Sequence, residues 1–235
     1  RSMNTDIPAH DVATVMMNTG STRVVKPSVG AWALYGLGSM NENLQLVSSM
    51  RQAVAQHEFV LHYQPVYDLH SGRLLGAEAL VRWQNPKLGM VSPGLFIPAA
   101  EKSGLIVDIG QWVLTEACRQ MQVWREAGAP PMTVSVNLSP VQFSRGNVEA
   151  VIAKALQDTG LDPRALELEV TESTLIRDTE KFIATLSRIQ ASGIRLAIDD
   201  FGTGYSNLSY LQRFSVNKLK IDQSFVRRLL QGAQD

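Results

Sequence analysis

The sequence predicts an α/β fold in which a mainly parallel sheet closes toward a barrel with helices on its outside. The first observation is the order of elements, since strand-like segments alternate with segments of helical periodicity. The second is that from the second strand onward each strand carries one apolar row and one polar row. The polar rows need a shared interior, because isolated buried charges are costly unless they are paired or bind a metal.

The elements follow in chain order. Residues 1–42 show no sustained period and predict an irregular leader or linker, so the barrel domain is expected over residues 43–235. A helix from Asn43 to about His57 is predicted by apolar residues at helical spacing. The predicted strands are Val60–Val66, Leu75–Trp83, Thr133–Leu138, Ala165–Thr171, Arg195–Asp199 and Lys218–Ile221. The helices between them are predicted near Gly94–Ser103, Asp108–Gly128, Asn147–Gly160, Thr179–Gly193 and Ser206–Phe214, with a last helix from about Gln223.

Composition narrows the possible partners. The 235 residues contain 22 Lys+Arg and 22 Asp+Glu, and this zero formal net charge argues against a nucleic acid polymer as the ligand. No apolar run reaches the length of about 20 residues that a membrane span needs, so no membrane contact is expected from this segment. The single cysteine, Cys118, cannot form an intrachain disulfide and is interpreted as a small buried hydrophobe. A cytoplasmic location is therefore expected.

Polar side chains gather near the carboxyl ends of the predicted strands, where barrel enzymes keep their active sites. Glu167 stands one layer deeper and is interpreted as a structural residue, with Lys218 and Arg195 as its natural partners. The candidates at the strand ends are all oxygen donors, which favour Mg²⁺, Mn²⁺ or Ca²⁺ over zinc. They are Glu78, Asn137, Glu169, Asp199 and Asp200.

The adjacent Asp199 and Asp200 predict more than one cation. Neighbours on a strand point to opposite faces, so both can serve one site only if the strand ends at Asp199 and the chain turns through residues 201–204. Such a pair suits two cations about 3.5–4 Å apart, which activate water for phosphoester displacement. Lys220 and Arg82, on neighbouring polar rows, are expected to neutralise phosphate charge or to position the water.

Several short segments stand out as motifs along the chain. They are Tyr63–Pro65, Glu78–Trp83, Phe96–Glu101, Val136–Ser139, Glu169–Glu172, Asp199–Gly204 and Lys220–Asp222. Together they resemble the EAL domain family of cyclic di-GMP phosphodiesterases, with the family signature at Glu78–Trp83 and the other motifs in family order. The resemblance extends from about Leu46 to Phe225.

The resemblance implies a modified TIM (β/α)₈-type barrel that hydrolyses cyclic di-GMP to linear pGpG with two Mg²⁺ or Mn²⁺ ions. By position in the motifs, Glu78, Asn137, Glu169 and Asp199 match metal ligands, and Asp200 matches the residue at the second metal. Lys220 matches the lysine near the attacking water, and Glu172 matches the glutamate that anchors the loop over residues 201–206. The matching substrate contacts are Gln64, Leu80 and Arg82.

The sequence departs from the family at its C-terminus. The family barrel continues with two more strands, which carry a Glu-Gly-Val-Glu motif and a motif with a glutamine, and neither motif is found in this sequence. About six of eight strands are therefore expected, with exposed sheet edges, weak or absent catalysis by this chain alone, and a homodimer. A longer multidomain bacterial signalling protein is expected around it. The leader vaguely resembles the junction after a GGDEF-type domain, and an arbitrary linker explains it equally well.

Two other functions stay open. A cyclic di-GMP receptor without turnover is the main alternative, favoured by the missing C-terminal motifs and opposed by the intact ligand set. A glycosidase needs only two carboxylates and leaves Asn137, the aspartate pair and Lys220 without a role.

Overall fold

The structure is a computed structural model and describes residues 44–176, 180–202 and 216–232. The chain divides into two compact units, Arg1–Ser49 and Met50–Asp235, and the strands of the described residues belong to the second. The strands are β1 (Phe59–Tyr67), β2 (Leu74–Asn85), β3 (Gly89–Val91), β4 (Thr133–Asn137), β5 (Leu166–Thr171), β6 (Arg195–Phe201) and β7 (Lys218–Ile221). The helices are α1 (44–55), α2 (Pro93–Ser103), α3 (Ile106–Glu126), α4 (Pro140–Arg145), α5 (Val148–Thr159), α6 (Glu172–Ile176), α7 (Glu180–Ala191) and α8 (Gln223–Gly232).

All strands join one mixed sheet in the order β1-β2-β4-β5-β6-β7, with β3 paired to β2. The strands from β2 through β4, β5, β6 and β7 are parallel, which confirms the predicted strand–helix units. β1 instead runs antiparallel to β2, because the turn at residues 68–73 is too short for the crossover that a parallel pair needs. Asp68 closes this turn by accepting hydrogen bonds from the backbone of His70 and Ser71.

The sheet is open within the described residues. β1 and β7 stand at the two ends of the strand order, and no pairing between them is found in the described ranges. This arrangement is the open sheet expected of a barrel with about six of its eight strands. A parallel-rich sheet with helices in the connections that precede β4, β5 and β6 confirms the predicted fold class.

The core lies between the sheet and the helices that follow its strands. The apolar rows of β4, β5 and β6 are fully buried, as at Val134 and Val136 of β4 and Leu196 and Ile198 of β6. Cys118 of α3 is buried as predicted, and burial raises the pKa of its thiol to about 12. The apolar core residues of α3 are Ile106, Ile109, Val113, Leu114, Ala117, Cys118 and Met121.

Several short elements were not predicted. They are β3, α4, α6 and a 3₁₀ turn at Pro163–Ala165, each too short to show a period in the sequence. The predicted leader, residues 1–42, and the predicted helix at Ser206–Phe214 lie outside the described residues. Within the described ranges, a helix with the length and hydrophobicity for crossing a bilayer is absent.

Candidate active site at the carboxyl ends of the strands

The parallel register brings three carboxylates together at one end of the sheet. Glu78 stands on β2, Glu169 on β5 and Asp199 on β6, and one oxygen of each lies within 4.8 Å of the others. Glu169 is almost fully buried, with 1% of its side chain exposed, while Glu78 and Asp199 are 15% and 22% exposed. The structure thus unites three of the five predicted metal ligands in one partly enclosed cluster.

Lys220 of β7 provides the positive charge at this cluster. Its Nζ donates hydrogen bonds to Glu78 Oε2 at 2.9 Å and to Asp199 Oδ2 at 2.9 Å, and also to Glu169 Oε2. Burial opposes the charge on Lys220, but the three hydrogen bonds outweigh it and raise the pKa of the ammonium. Lys220 is therefore a permanent cation that neutralises part of the acidic cluster.

Glu169 holds its proton unusually tightly for a carboxyl group. Its pKa is raised to about 7, mainly by burial, and the hydrogen bond from Lys220 offsets only part of this rise. The charges of Glu78 and Asp199 contribute to the same rise, because like charges disfavour ionisation. A cation of higher charge at this position would favour the ionised form.

Asn137 joins the cluster from the end of β4. It lies opposite Glu169 in the register, and its Nδ2 donates to Glu78 Oε1 at 2.8 Å. The amide therefore orients the carboxylate of Glu78. Since an amide also carries an oxygen acceptor, the four side chains form an all-oxygen donor set of the kind that holds Mg²⁺ or Mn²⁺. The donors present thus fit the predicted divalent cation.

Asp200 lies beside this group but outside it, and the predicted geometry of the strand end is wrong. β6 continues to Phe201 instead of ending at Asp199. The backbone turns at Asp200 itself, where φ is 55° and the register with β7 shifts. Burial and the charges of Asp199 and Asp222 raise the pKa of Asp200. Asp200 therefore interacts electrostatically with the cluster.

A second charged layer supports the cluster from below. Glu167 and Lys218 precede Glu169 and Lys220 by two residues and therefore share their faces. Glu167 accepts hydrogen bonds from Ser135 Oγ at 2.7 Å and from Lys218 Nζ, which confirms its structural interpretation. Arg195, the second predicted partner, lies opposite Glu167 in the register and is exposed.

The predicted substrate contacts share one face of the β1–β2 pair. Gln64 is directly opposite Glu78, so both side chains leave the same face of the sheet. Leu80 and Arg82 follow on that face at intervals of two residues toward the end of β2. Arg82 donates from Nη1 to its neighbour's carbonyl, Val81 O, at 2.8 Å.

Glu172 contacts the start of the segment that it was predicted to anchor. Its buried side chain accepts a hydrogen bond from Gly202 N at 2.9 Å. Gly202 has φ of 96°, and a Cβ there would lie 2.7 Å from the ring of Phe225, so both conformation and space require glycine. The rest of the predicted loop, residues 203–206, lies outside the described residues.

Asp222 is a residue near the cluster that the predicted site omits. It follows β7 two residues after Lys220, and its Oδ1 accepts from Ser224 N at 2.8 Å at the start of α8. The negative charge of Asp222 contributes to the raised pKa of Asp200. The sequence signal was the alternation of Lys218, Lys220 and Asp222 on one row.

The fold and the cluster together define an α/β-barrel domain with an acidic centre at the carboxyl ends of its parallel strands. The profile of the EAL domain family matches residues 47–235, and the chain belongs to this family. A second profile, a protein of unknown function (DUF1501), matches residues 1–67 and so overlaps the start of the EAL match.

Two relatives and one solved structure are informative. The bifunctional diguanylate cyclase/cyclic di-GMP phosphodiesterase MucR of Pseudomonas aeruginosa is 46% identical over 201 residues, which are 84% of this chain and 29% of MucR. The cyclic di-GMP phosphodiesterase NbdA of the same species is 39% identical over 194 residues, 83% of this chain and 25% of NbdA. The structure described as the PaMucR phosphodiesterase, c-di-GMP complex, has a TM-score of 0.76 at 45% identity, covering 81% of this chain and 77% of that one. The chain thus spans less than a third of either full-length relative.

Proposed function

We propose that this domain hydrolyses one phosphodiester bond of cyclic di-GMP and releases linear pGpG. The observation that carries the proposal is the cluster of Glu78, Glu169 and Asp199 around Lys220 at the strand ends. Membership of the EAL family supports it, as do the activities for which its relatives MucR and NbdA are named.

In the proposed site, Glu78, Asn137, Glu169 and Asp199 hold one Mg²⁺ or Mn²⁺, and Asp200 helps to hold a second. A bound divalent cation supplies an activated water and neutralises charge on the phosphate. The ligand residues come from neighbouring strands, so the sheet itself sets their separation and little reorganisation is needed. Glu172 keeps the segment after Asp200 in place through its bond to Gly202 N.

Lys220 changes partners in the proposed reaction. It neutralises the three carboxylates in this structure. With a divalent cation bound to those carboxylates, the ammonium would be available to orient the attacking water. The water oxygen forms a new bond to phosphorus and loses a proton. The bond from phosphorus to the ribose 3′ oxygen breaks, and this oxygen leaves as a hydroxyl group, so the proton balance of the reaction closes with the one that the water lost. The product carries a 5′ phosphate, as pGpG does.

Substrate orientation falls to the face shared by Gln64, Leu80 and Arg82. Arg82 is suited to the phosphate, because a guanidinium donates several hydrogen bonds in a fixed plane and repels cations. Gln64 and Leu80 offer an amide and an apolar contact on the same face.

The proposal is tested by incubating the full-length protein with cyclic di-GMP and Mg²⁺ or Mn²⁺, followed by chromatography of the products. We expect pGpG in the presence of the cation and none with excess chelator. Binding of cyclic di-GMP without product would identify a receptor and overturn the proposal. The expectations of a cytoplasmic location, a homodimer and a longer multidomain protein remain predictions.

A further inference from the structure

The geometry points to Glu101 of α2 as a positioning residue for Asn137, acting through Ser139. This inference rests on the proposed function, because it concerns how one proposed ligand of the cation is held. Glu101 ends the motif Phe96–Glu101, to which the proposed reaction gives no role.

A hydrogen bond joins two parts of the chain that are distant in sequence. Ser139 Oγ donates to Glu101 Oε1 at 2.7 Å, although the residues are separated by 38 positions, and both are partly buried. Ser139 stands two residues after Asn137, so this bond ties the end of β4 to α2.

Ser139 is held by several hydrogen bonds at once. Its Oγ accepts from Val141 N at 3.2 Å and its N donates to Gln142 Oε1 at 2.9 Å, which together cap the start of α4. By accepting the hydrogen bond from the Ser139 hydroxyl, Glu101 orients the lone pairs of that oxygen toward the Val141 amide. The carboxylate therefore strengthens the cap instead of competing with it.

Gln142 is closely packed against α3. This side chain is buried against Gly110 of α3, where a Cβ would lie 2.3 Å from Gln142 Nε2. Glycine in a helix interior is costly relative to alanine, and this close approach explains its presence. The segment after Asn137 is thus held from α2 through Glu101 and from α3 through Gln142.

The consequence falls on Asn137, which is exposed and bonds Glu78 Oε1 at 2.8 Å. On its other flank, Leu138 N donates to Glu169 O at 2.9 Å. Loss of the Glu101 hydrogen bond removes one of the two restraints on the segment after Asn137. The hydrogen bonds of the α4 cap and of the sheet remain. We therefore expect a change in the site without loss of the fold.

The test compares Glu101→Ala with Glu149→Ala in the full-length protein. Glu149 is a matched control, since it also bonds a side chain of another element, Arg188, 39 positions away, and is not part of the carboxylate cluster. We expect Glu101→Ala to weaken Mn²⁺ binding by about tenfold in calorimetry and to lower kcat by a similar factor with little change in KM. Thermal unfolding without metal should change to the same small extent in both variants.

Two further variants distinguish positioning from general packing. Glu101→Gln keeps an oxygen acceptor for Ser139 and should restore Mn²⁺ binding to within about twofold of the wild type. The double variant Glu101→Ala, Ser139→Ala should bind Mn²⁺ no more weakly than Ser139→Ala alone. The reason is that each substitution removes the same hydrogen bond, between Ser139 and Glu101.

The outcomes separate this inference from the proposed function. A wild-type protein without metal-dependent hydrolysis overturns the proposed function and the inference with it. An active wild type, with Glu101→Ala binding Mn²⁺ as tightly as Glu149→Ala, overturns the inference alone. Failure of Glu101→Gln to restore binding also overturns it.

Discussion

Lys220 has three carboxylate partners, and only one of them is almost fully buried. An ammonium in this position stabilises the cluster without metal, since removal of one partner from a buried ion pair leaves an uncompensated charge. The same ammonium repels any incoming cation. Lys220 therefore sets both the stability of the metal-free cluster and its affinity for a divalent ion.

Replacement of Lys220 by methionine should separate these two effects. Unit charges 4 Å apart interact by about 4 kcal/mol at an effective dielectric of 20, so loss of the ammonium should raise Mn²⁺ affinity by at least about tenfold. Unfolding free energy without metal should fall by about 3 kcal/mol. Lys218→Met is the matched control, because it faces Glu167 in the layer below and should leave Mn²⁺ affinity unchanged. Weaker Mn²⁺ binding by Lys220→Met would contradict this view.

The raised pKa of Glu169, about 7, predicts a pH dependence of metal binding. The protonated carboxyl must lose its proton before it can bind a cation, so protons and metal compete. Between pH 6 and pH 8 the ionised fraction rises about tenfold for a pKa of 7, and Mn²⁺ affinity should rise by the same factor. Calorimetry across this range checks the prediction, and a pH-independent affinity would refute it.

At the scale of single elements, the strands were predictable because their alternation continues over several residues. The ends of β4, β5 and β7 differ from the predictions by at most one residue, while the short helices α4 and α6 show no period at all. The turn at Asp200 was not predictable either, since glycines at 202 and 204 drew the expected turn downstream. The turn coincides with a register shift between β6 and β7, and the sequence pattern does not encode which residues of two strands become partners.

Gly76 lies on β2 at a point where the neighbouring strand β4 leaves no room for a side chain. A Cβ at this position would lie 2.5 Å from Thr133 O, a backbone atom of β4 that cannot move without disturbing the sheet. Gly76→Ala should therefore lower the unfolding free energy by about 1–3 kcal/mol in denaturant titrations. Gly94→Ala is the control, because its nearest neighbour is Ser92 Oγ at 3.7 Å and no destabilisation is expected. Equal stability of the two variants would show that β2 and β4 are less closely packed than the structure indicates.

At the scale of the whole molecule, the sequence predicted the barrel-type sheet and the strands that meet at its acidic end. This was possible because polar residues at strand ends follow directly from the two-residue period of a strand. The antiparallel β1 and the central place of Lys220 depend on which strands become neighbours, so they required the structure. The open edges at β1 and β7 agree with the expected shortage of strands, within the residues described.

The central claim is that the carboxylate cluster holds the cation that hydrolyses cyclic di-GMP. The most direct measurement is the rate of pGpG formation by the full-length protein and its Glu78→Ala variant at saturating Mn²⁺. The control is Glu116→Ala, a half-buried α3 site paired with Arg119. We predict that Glu78→Ala abolishes hydrolysis while its unfolding remains cooperative, and that Glu116→Ala keeps wild-type turnover. Near-native turnover of the Glu78→Ala variant would contradict the account.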